Sequence, residues 1–145
     1  MILAWVLATS CIVQAKQLAV IADPTNPATN LTVTELANIL NAKTQSWPDG
    51  TPIKLVVRDP SCAEMQLVLR KLLVMTAERA RAFLQAHKQT IVIADSDDAV
   101  LRSVSMTRGA IGIIDLYSLT KDVKVLKIDG KLPVEQGYAL RGSPE

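Results

Sequence analysis

The residues best suited to chemistry in this sequence lie at positions 58–63, where an apolar run ends and a helical pattern begins. A helix start presents unpaired backbone N–H groups and about half a positive charge, so it favours an anion. The guanidinium of Arg58, the hydroxyl of Ser61 and the backbone N–H groups of Cys62 and Ala63 could all donate to one tetrahedral oxyanion. Each such charge-assisted hydrogen bond contributes about 1.5–3 kcal/mol. These donors suit an oxyanion, but spacing alone is better explained by a Ser61 helix cap and an Arg58 ion pair with Asp59 or a neighbouring carboxylate.

A second polar segment, residues 23–32, also follows an apolar run and leads into a helical pattern. In a largely parallel α/β sheet, ligands bind at the carboxyl ends of strands, where loops enter helices. The hydroxyl and amide side chains of this segment are therefore lesser candidates for the same oxyanion site. They are Thr25, Asn26, Thr29 and Asn30.

Catalytic interpretations are weaker. Cys62 could have a lowered thiol pKa at a helix start, but simple packing is the stronger interpretation. The single histidine, His87, falls at the end of a predicted helix and has no evident cysteine partner. Asp95 and Asp97 follow an apolar run as in aspartyl-phosphate phosphatases, but the later acidic pair of those enzymes is missing. We expect no enzyme, no metal site and no cofactor, since one histidine and one cysteine outside residues 1–15 are too few ligands for a usual zinc site.

The elements that position these residues alternate between short apolar runs and helical patterns. The predicted strands are 18–22, 53–57, 91–94, 110–114 and 123–128, and the predicted helices begin at Thr32, at Ser61, at Ala77 and within residues 95–98. Thr32 with Glu35, and Ser61 with Glu64, have the spacing of capping boxes. Because the strands are too continuously apolar to have a wet face, we predict an α/β fold with a mostly parallel five-stranded sheet and helices on both faces.

Length and composition limit the class of protein. A chain of 145 residues is long enough for one domain. Hydrophobic residues make up 49% and charged residues 21%, which excludes disordered, collagen-like and coiled-coil chains. The net charge of +2 and the low aromatic content of 3% argue against nucleic acid as a partner.

The first fifteen residues carry no charged side chain and contain an apolar run followed by small residues. This pattern predicts an export signal cleaved after Ala15, leaving residues 16–145 as one periplasmic domain without a membrane span. Cys11 would leave with the signal, so Cys62 would have no disulfide partner. A lipoprotein anchored through Cys11 is the alternative.

The order of short motifs resembles the phosphate-binding periplasmic proteins of ABC importers. These motifs are Pro-Thr-Asn-Pro at 24–27, Trp-Pro-Asp-Gly at 47–50, Val-Arg-Asp at 57–59, Ser61, Gly-Ala-Ile-Gly at 109–112 and Tyr-Ala-Leu-Arg at 138–141. The resemblance implies a single lobe of the periplasmic-binding-protein type, which binds phosphate without catalysis and serves an ABC permease.

This sequence departs from the family pattern in two ways. The longer members are about twice this length and hold phosphate between two lobes. The family loop of Arg, Ser, Gly and Thr keeps Arg58 and Ser61 here, but Cys62 and Ala63 replace the Gly and the Thr. We therefore expect a weak site, or one completed by a second subunit. The alternative is a single-lobe interaction module of the cell envelope that has lost its ligand.

Overall fold

The computed structural model describes residues 16–142, so the predicted signal at 1–15 lies outside the described residues. A six-stranded sheet forms the centre of the molecule, and a two-stranded sheet lies beside it. The strands are β1 (Lys16–Ala22), β2 (Asn30–Leu31), β3 (Lys54–Arg58), β4 (Ile91–Ala94), β5 (Ala110–Asp115), β6 (Lys124–Val125), β7 (Lys127–Ile128) and β8 (Arg141–Gly142). The strand order is β4-β3-β5-β1-β6, with β8 also pairing with β1.

One strand runs against all the others of the large sheet. β3 is parallel to β4 and β5, whereas β1 is antiparallel to β5, β6 and β8. Five of the six strands therefore point the same way, and the predicted mostly parallel sheet is confirmed. The reversed β1 places its first residues beside the end of β5, because Leu18 pairs with Asp115 and Ala22 pairs with Ile111.

The last predicted strand, 123–128, divides into two short strands that belong to different sheets. Lys124 in β6 pairs with Ala22 in β1, whereas Ile128 in β7 pairs with Leu31 in β2. Between them, the N–H of Leu126 donates to the carbonyl of Val20 at 2.9 Å. The large sheet has six strands rather than the predicted five because β8 also pairs with β1, whereas the division moves β7 into the small sheet.

Four α-helices cover the sheet, and three of them begin with a side-chain cap. The helices are α1 (Val33–Leu40), α2 (Ala63–Val68), α3 (Ala77–Ala86) and α4 (Asp97–Met106). The caps are Thr32, Thr76 and Ser96, whose hydroxyls accept from the N–H groups of Glu35, Arg79 and Ala99. A π-helical turn, Leu69–Leu73, continues α2.

The predicted cap at Ser61 is wrong. The residue at the cap position of α2 is Cys62, which makes no side-chain capping bond. Ser61 donates its hydroxyl and its N–H to the Asp59 carboxylate instead. The reason is local: an aspartate two residues earlier is close enough to bind both groups within the turn.

Alternate residues of β1 pack against the two covering layers. Leu18 and Val20 belong to the larger core with α1, α2 and α3, whereas Ala19 and Ile21 belong to the smaller core with α4. All four are fully buried. Because helices cover both faces, the predicted three-layer arrangement is confirmed.

Candidate functional site

The candidate site lies at one edge of the large sheet, which we call the Arg58 edge. It consists of the ends of β3, β4 and β5 and the start of β1, which the antiparallel direction of β1 brings to the same place. The starts of α2 and α4 follow β3 and β4 directly at this edge. Helix starts and charged side chains therefore meet where the sequence predicts a ligand.

Arg58 is held by an ion pair across the edge. Its Nη1 donates to Oδ1 of Asp97, the first residue of α4, at 2.8 Å. Burial alone would lower the pKa of Arg58, but the hydrogen bond to Asp97 and the nearby Cys62 and Glu64 raise it above its ordinary value. Nε of Arg58 is buried and has no hydrogen-bond partner within residues 16–142.

Asp97 connects three elements. Besides Arg58, its carboxylate accepts from the N–H of Asp115 at 3.1 Å and from the hydroxyl of Ser118 at 2.8 Å. Asp115 ends β5, and Ser118 ends the short 3₁₀ turn Leu116–Ser118 that follows it. The Asp97 carboxylate therefore accepts three hydrogen bonds at this edge, as a bound anion would.

A second ionic group lies beside the first. Lys16 Nζ, at the start of β1, is 3.3 Å from Oε1 of Glu64 and 3.1 Å from Oδ2 of Asp115. Burial alone would raise the pKa of Glu64, but its own backbone N–H and the Lys16 ammonium lower it below its ordinary value. The Glu64 carboxylate thus occupies the start of α2, where the sequence predicts an external oxyanion.

The predicted donors of residues 58–63 are mostly bonded within the chain. Arg58 is paired with Asp97, Ser61 with the Asp59 carboxylate, and the N–H of Cys62 with the Asp59 carbonyl at 3.0 Å. Within this segment, the N–H of Ala63 is left without a bond to residues 16–142. Two cations, Arg58 and Lys16, face three carboxylates at the edge. An external anion must therefore displace a carboxylate, because Arg58 and Lys16 are each already paired with one in the described part of the chain.

The half-buried thiol of Cys62 is not activated. Burial raises the pKa of Cys62, and the neighbouring Glu64 raises it further. The possibility of a lowered thiol pKa is therefore wrong. Burial and the Glu64 carboxylate together outweigh the lowering of the thiol pKa that a helix start favours. His87 is the C-cap of α3, and its Nδ1 lies 2.9 Å from the carbonyl of Phe83 in the last turn of that helix.

The second predicted loop lies at the opposite edge of the sheet. Because β1 is antiparallel to β5, its last residue Ala22 is beside the start of β5, and Asp23 follows there. Thr25 bonds to Asp23, the Asn26 side chain accepts from Ala28, and that of Asn30 accepts from Gly130. The predicted site residues Thr25, Asn26, Thr29 and Asn30 therefore do not lie with Arg58 in one site.

Asp23 is the central residue of that opposite edge. Its buried carboxylate accepts from the N–H of Thr25 at 3.0 Å and from the N–H of Gly109 at 2.9 Å. The indole of Trp47 donates to the Gly109 carbonyl at 2.9 Å. Asp23 of the second loop and Trp47 thus both hold the backbone of Gly109.

Four charged residues form the ion pairs of the Arg58 edge together with Arg58, and the sequence did not predict any of them as site residues. They are Lys16, Glu64, Asp97 and Asp115. Asp97 and Glu64 are recognisable from the sequence only as first-turn acids of helices. The pairing of Lys16 with Asp115 crosses 99 positions of sequence, and no local pattern signals it.

Two further findings bear on the class of protein. Between residues 16 and 142, no helix has the length and apolar character needed to cross a bilayer. The same residues contain no group of three or more His, Cys, Asp or Glu side chains arranged to hold a metal ion.

Comparison with known proteins places the fold in a family. A family model described as a PBP superfamily domain matches residues 10–140. The curated proteins contain no match to the chain. Solved structures do match, at identities that establish likeness of fold.

An ABC-type phosphate transport receptor from Vibrio cholerae is similar with a TM-score of 0.78 and 21% identity, over 90% of this chain and 56% of that one. PstS from Borrelia burgdorferi is similar with a TM-score of 0.74 and 24% identity, over 89% of this chain and 55% of that one. A putative phosphate ABC transporter substrate-binding protein with bound phosphate from Clostridium perfringens has a TM-score of 0.71 and 21% identity. The match covers 83% of this chain and 48% of that one. The chain thus spans about half the length of these structures and corresponds to one part of their fold. With the family match covering most of its residues and the fold agreeing, the chain belongs to the PBP superfamily domain family.

Proposed function

We propose that this chain is a solute-binding lobe that takes phosphate or a similar oxyanion at the Arg58 edge and catalyses no reaction. The observation that carries the proposal is that Arg58 and Lys16 already hold carboxylate oxyanions there, at 2.8 Å and 3.1–3.3 Å. Side-chain carboxylates and phosphate oxygens are recognised by the same charge-assisted donors. Similar structures include a phosphate transport receptor and a substrate-binding protein with bound phosphate, which supports the choice of anion.

An external anion would bind by exchange with the Asp97 carboxylate. Arg58 would keep Nη1 as a donor and offer the buried Nε, which has no partner within the described residues. Of the two predicted backbone donors, Cys62 and Ala63, the N–H of Ala63 makes no bond to residues 16–142. Because three carboxylates surround two cations, this exchange is opposed by repulsion. Each 1.4 kcal/mol of that opposition costs about tenfold in affinity, so we expect a Kd of roughly millimolar.

Titration calorimetry with phosphate and sulfate tests the proposal. The unmodified protein should bind phosphate weakly, and Asp97→Asn should bind about tenfold more tightly because the amide no longer competes for Arg58 with a negative charge. Arg58→Ala should abolish the heat. The control is Arg81→Ala, since Arg81 is about half exposed and lies 3.8 Å from Asp59 in a surface pair. Absence of phosphate heat in both the unmodified protein and Asp97→Asn would contradict the proposal.

A second candidate function is an interaction module of the cell envelope without a ligand. The observation that favours it is that Arg58, Ser61 and the N–H of Cys62 are all bonded within the chain. The same titration separates the two candidates. If Asp97→Asn folds and still binds no oxyanion at all, the module is the better description.

We also propose where the remaining part of the binding site comes from. The chain spans about half of the similar structures, so a second subunit or an ABC permease would supply the opposite wall. Each would approach the Arg58 edge, where the charged side chains lie. Chemical cross-linking in cells through a photoreactive group at Tyr117, which is 88% exposed and two residues after Asp115, would identify that partner. Recovery of no envelope protein by this cross-link would count against a partner at the edge.

Export is the proposed location, with residues 1–15 as a signal and residues 16–145 as the periplasmic domain. The apolar, uncharged character of residues 1–15 supports it. Cell fractionation followed by N-terminal sequencing should find the protein in the periplasm with Lys16 as its first residue. A lipid-modified Cys11 in the membrane fraction would support the lipoprotein alternative instead.

A further inference from the structure

The outer edge of β4 is a sheet edge without a strand partner. β4 is the terminal strand of the large sheet, and within residues 16–142 it pairs with β3 alone. Its four residues are all apolar, and Ile93 is 48% exposed. Edge strands are usually guarded by charges, prolines or bulges, because their free N–H and C=O groups recruit other strands. β4 has no such residue within it.

The residues on either side of β4 carry opposite charges. Lys88 lies in the turn that precedes the strand, and Asp95 follows it immediately. Both side chains are exposed, and neither makes an ion pair with any residue between 16 and 142. The strand is therefore apolar in the middle, positive at its start and negative at its end.

This pattern is complementary to itself in one orientation. If two copies pair their β4 strands antiparallel about a two-fold axis at Val92, with Val92 of one opposite Val92 of the other, Lys88 of each copy lies at the same end of the strand pair as Asp95 of the other copy. A parallel pair would bring Asp95 beside Asp95, which is unfavourable. An antiparallel pair has two-fold symmetry, so the same contact forms twice.

We propose that β4 is a self-association surface through which two copies of this chain form a two-fold dimer by antiparallel β4–β4 pairing. The two large sheets then continue into one sheet across both copies, and the exposed side of Ile93 is covered. Four residues of strand bury less than the roughly 1,200 Å² of a standard stable interface. The dimer is therefore reversible, with a Kd of about 10–100 µM.

Sedimentation velocity on the purified full chain tests the dimer, since its population depends on concentration. Between about 5 and 500 µM the average mass should rise from monomer toward dimer. Ile93→Lys puts a charge on the edge and should keep the protein monomeric throughout this range. Met106→Lys is the control, because Met106 is 79% exposed at the end of α4 and should leave the dimer unchanged.

A charge exchange tests the orientation. Lys88→Glu should weaken the dimer about tenfold, and adding Asp95→Lys should restore it. Circular dichroism on each variant establishes that the monomer is folded. A protein that stays monomeric at all concentrations, or a dimer that Ile93→Lys leaves intact, overturns the proposal. A dimer that Lys88→Glu does not weaken overturns the antiparallel register.

Discussion

Arg58 Nη1 and Asp97 Oδ1, 2.8 Å apart, join the end of β3 to the first residue of α4. Asp97 also accepts from the N–H of Asp115 and the hydroxyl of Ser118, so one carboxylate ties β3, α4 and the end of β5 together. The same guanidinium is the principal predicted ligand of an external oxyanion. Under the proposed function, an oxyanion would have to displace Asp97 from Arg58, so the loss of this contact would reduce the net binding free energy of the ligand.

Arg58→Ala should destabilise the protein by about 1–2 kcal/mol, measured by urea denaturation at neutral pH. The side chains of the pair are only 20% and 13% exposed, so removal of Arg58 leaves the Asp97 charge partly buried. The control is Arg81→Ala, whose pair with Asp59 is 51% and 57% exposed. That variant should change the free energy of unfolding by less than about 0.5 kcal/mol. Equal effects of the two variants would show that the Arg58 pair contributes no more than a surface contact.

Ser61→Ala should have little effect on stability, within about 0.5 kcal/mol, because Ser61 is not the cap of α2. Ser96→Ala should cost about 1 kcal/mol, since Ser96 caps α4 by accepting from Ala99 N–H at 3.1 Å. Ser61→Ala should instead raise the pKa of Asp59 toward its usual value. The Ser61 hydroxyl and N–H hold it low, and the substitution removes the hydroxyl. Chemical denaturation and NMR titration measure the two effects. A large stability loss in Ser61→Ala would mean that the hydroxyl caps the helix in solution.

The difference between Ser61 and Ser96 shows what could be predicted from the sequence. Helix starts, apolar strands and the two covering layers follow from local periodicity, and α3 begins at Ala77 as the pattern predicts. The direction of β1 does not follow from local periodicity, because an apolar run has the same pattern whichever way the strand points in the sheet. That single reversal separates residues 23–30 from Arg58 and brings Lys16 to the site in their place. The carboxylates that fill the site could be seen in the sequence, but only as acids suited to helix starts.

Gly112→Ala should destabilise the protein by about 1–3 kcal/mol. A Cβ at this position of β5 would lie 2.7 Å from Cγ1 of Val100 and 3.2 Å from Cγ2 of Val104, so α4 would have to move away from the sheet. Adding Val100→Ala makes room for the new methyl group. Urea denaturation of the two single variants and the double variant should therefore show a double-variant loss smaller than the sum of the single losses. Additive losses would mean that the close approach of α4 to β5 is not present in solution.

Tyr138→Phe should leave stability unchanged or raise it slightly near neutral pH, and should reduce the loss of stability in alkali. The Tyr138 ring is buried, and its hydroxyl has no hydrogen-bond partner within residues 16–142, although the backbone of Val20 is nearby. Burial raises the pKa of Tyr138 well above its ordinary value of about 10. The folded protein therefore keeps the phenol proton that the unfolded chain loses, so this contribution to stability is complete below about pH 10 and declines above it.

Urea denaturation of the unmodified protein and the variant at about pH 8 and 11 measures the difference. Tyr117→Phe is the control, since Tyr117 is 88% exposed and its removal should leave the alkaline loss in place. If Tyr138→Phe and the unmodified protein lose stability equally in alkali, the Tyr138 phenol is not desolvated as the fold requires.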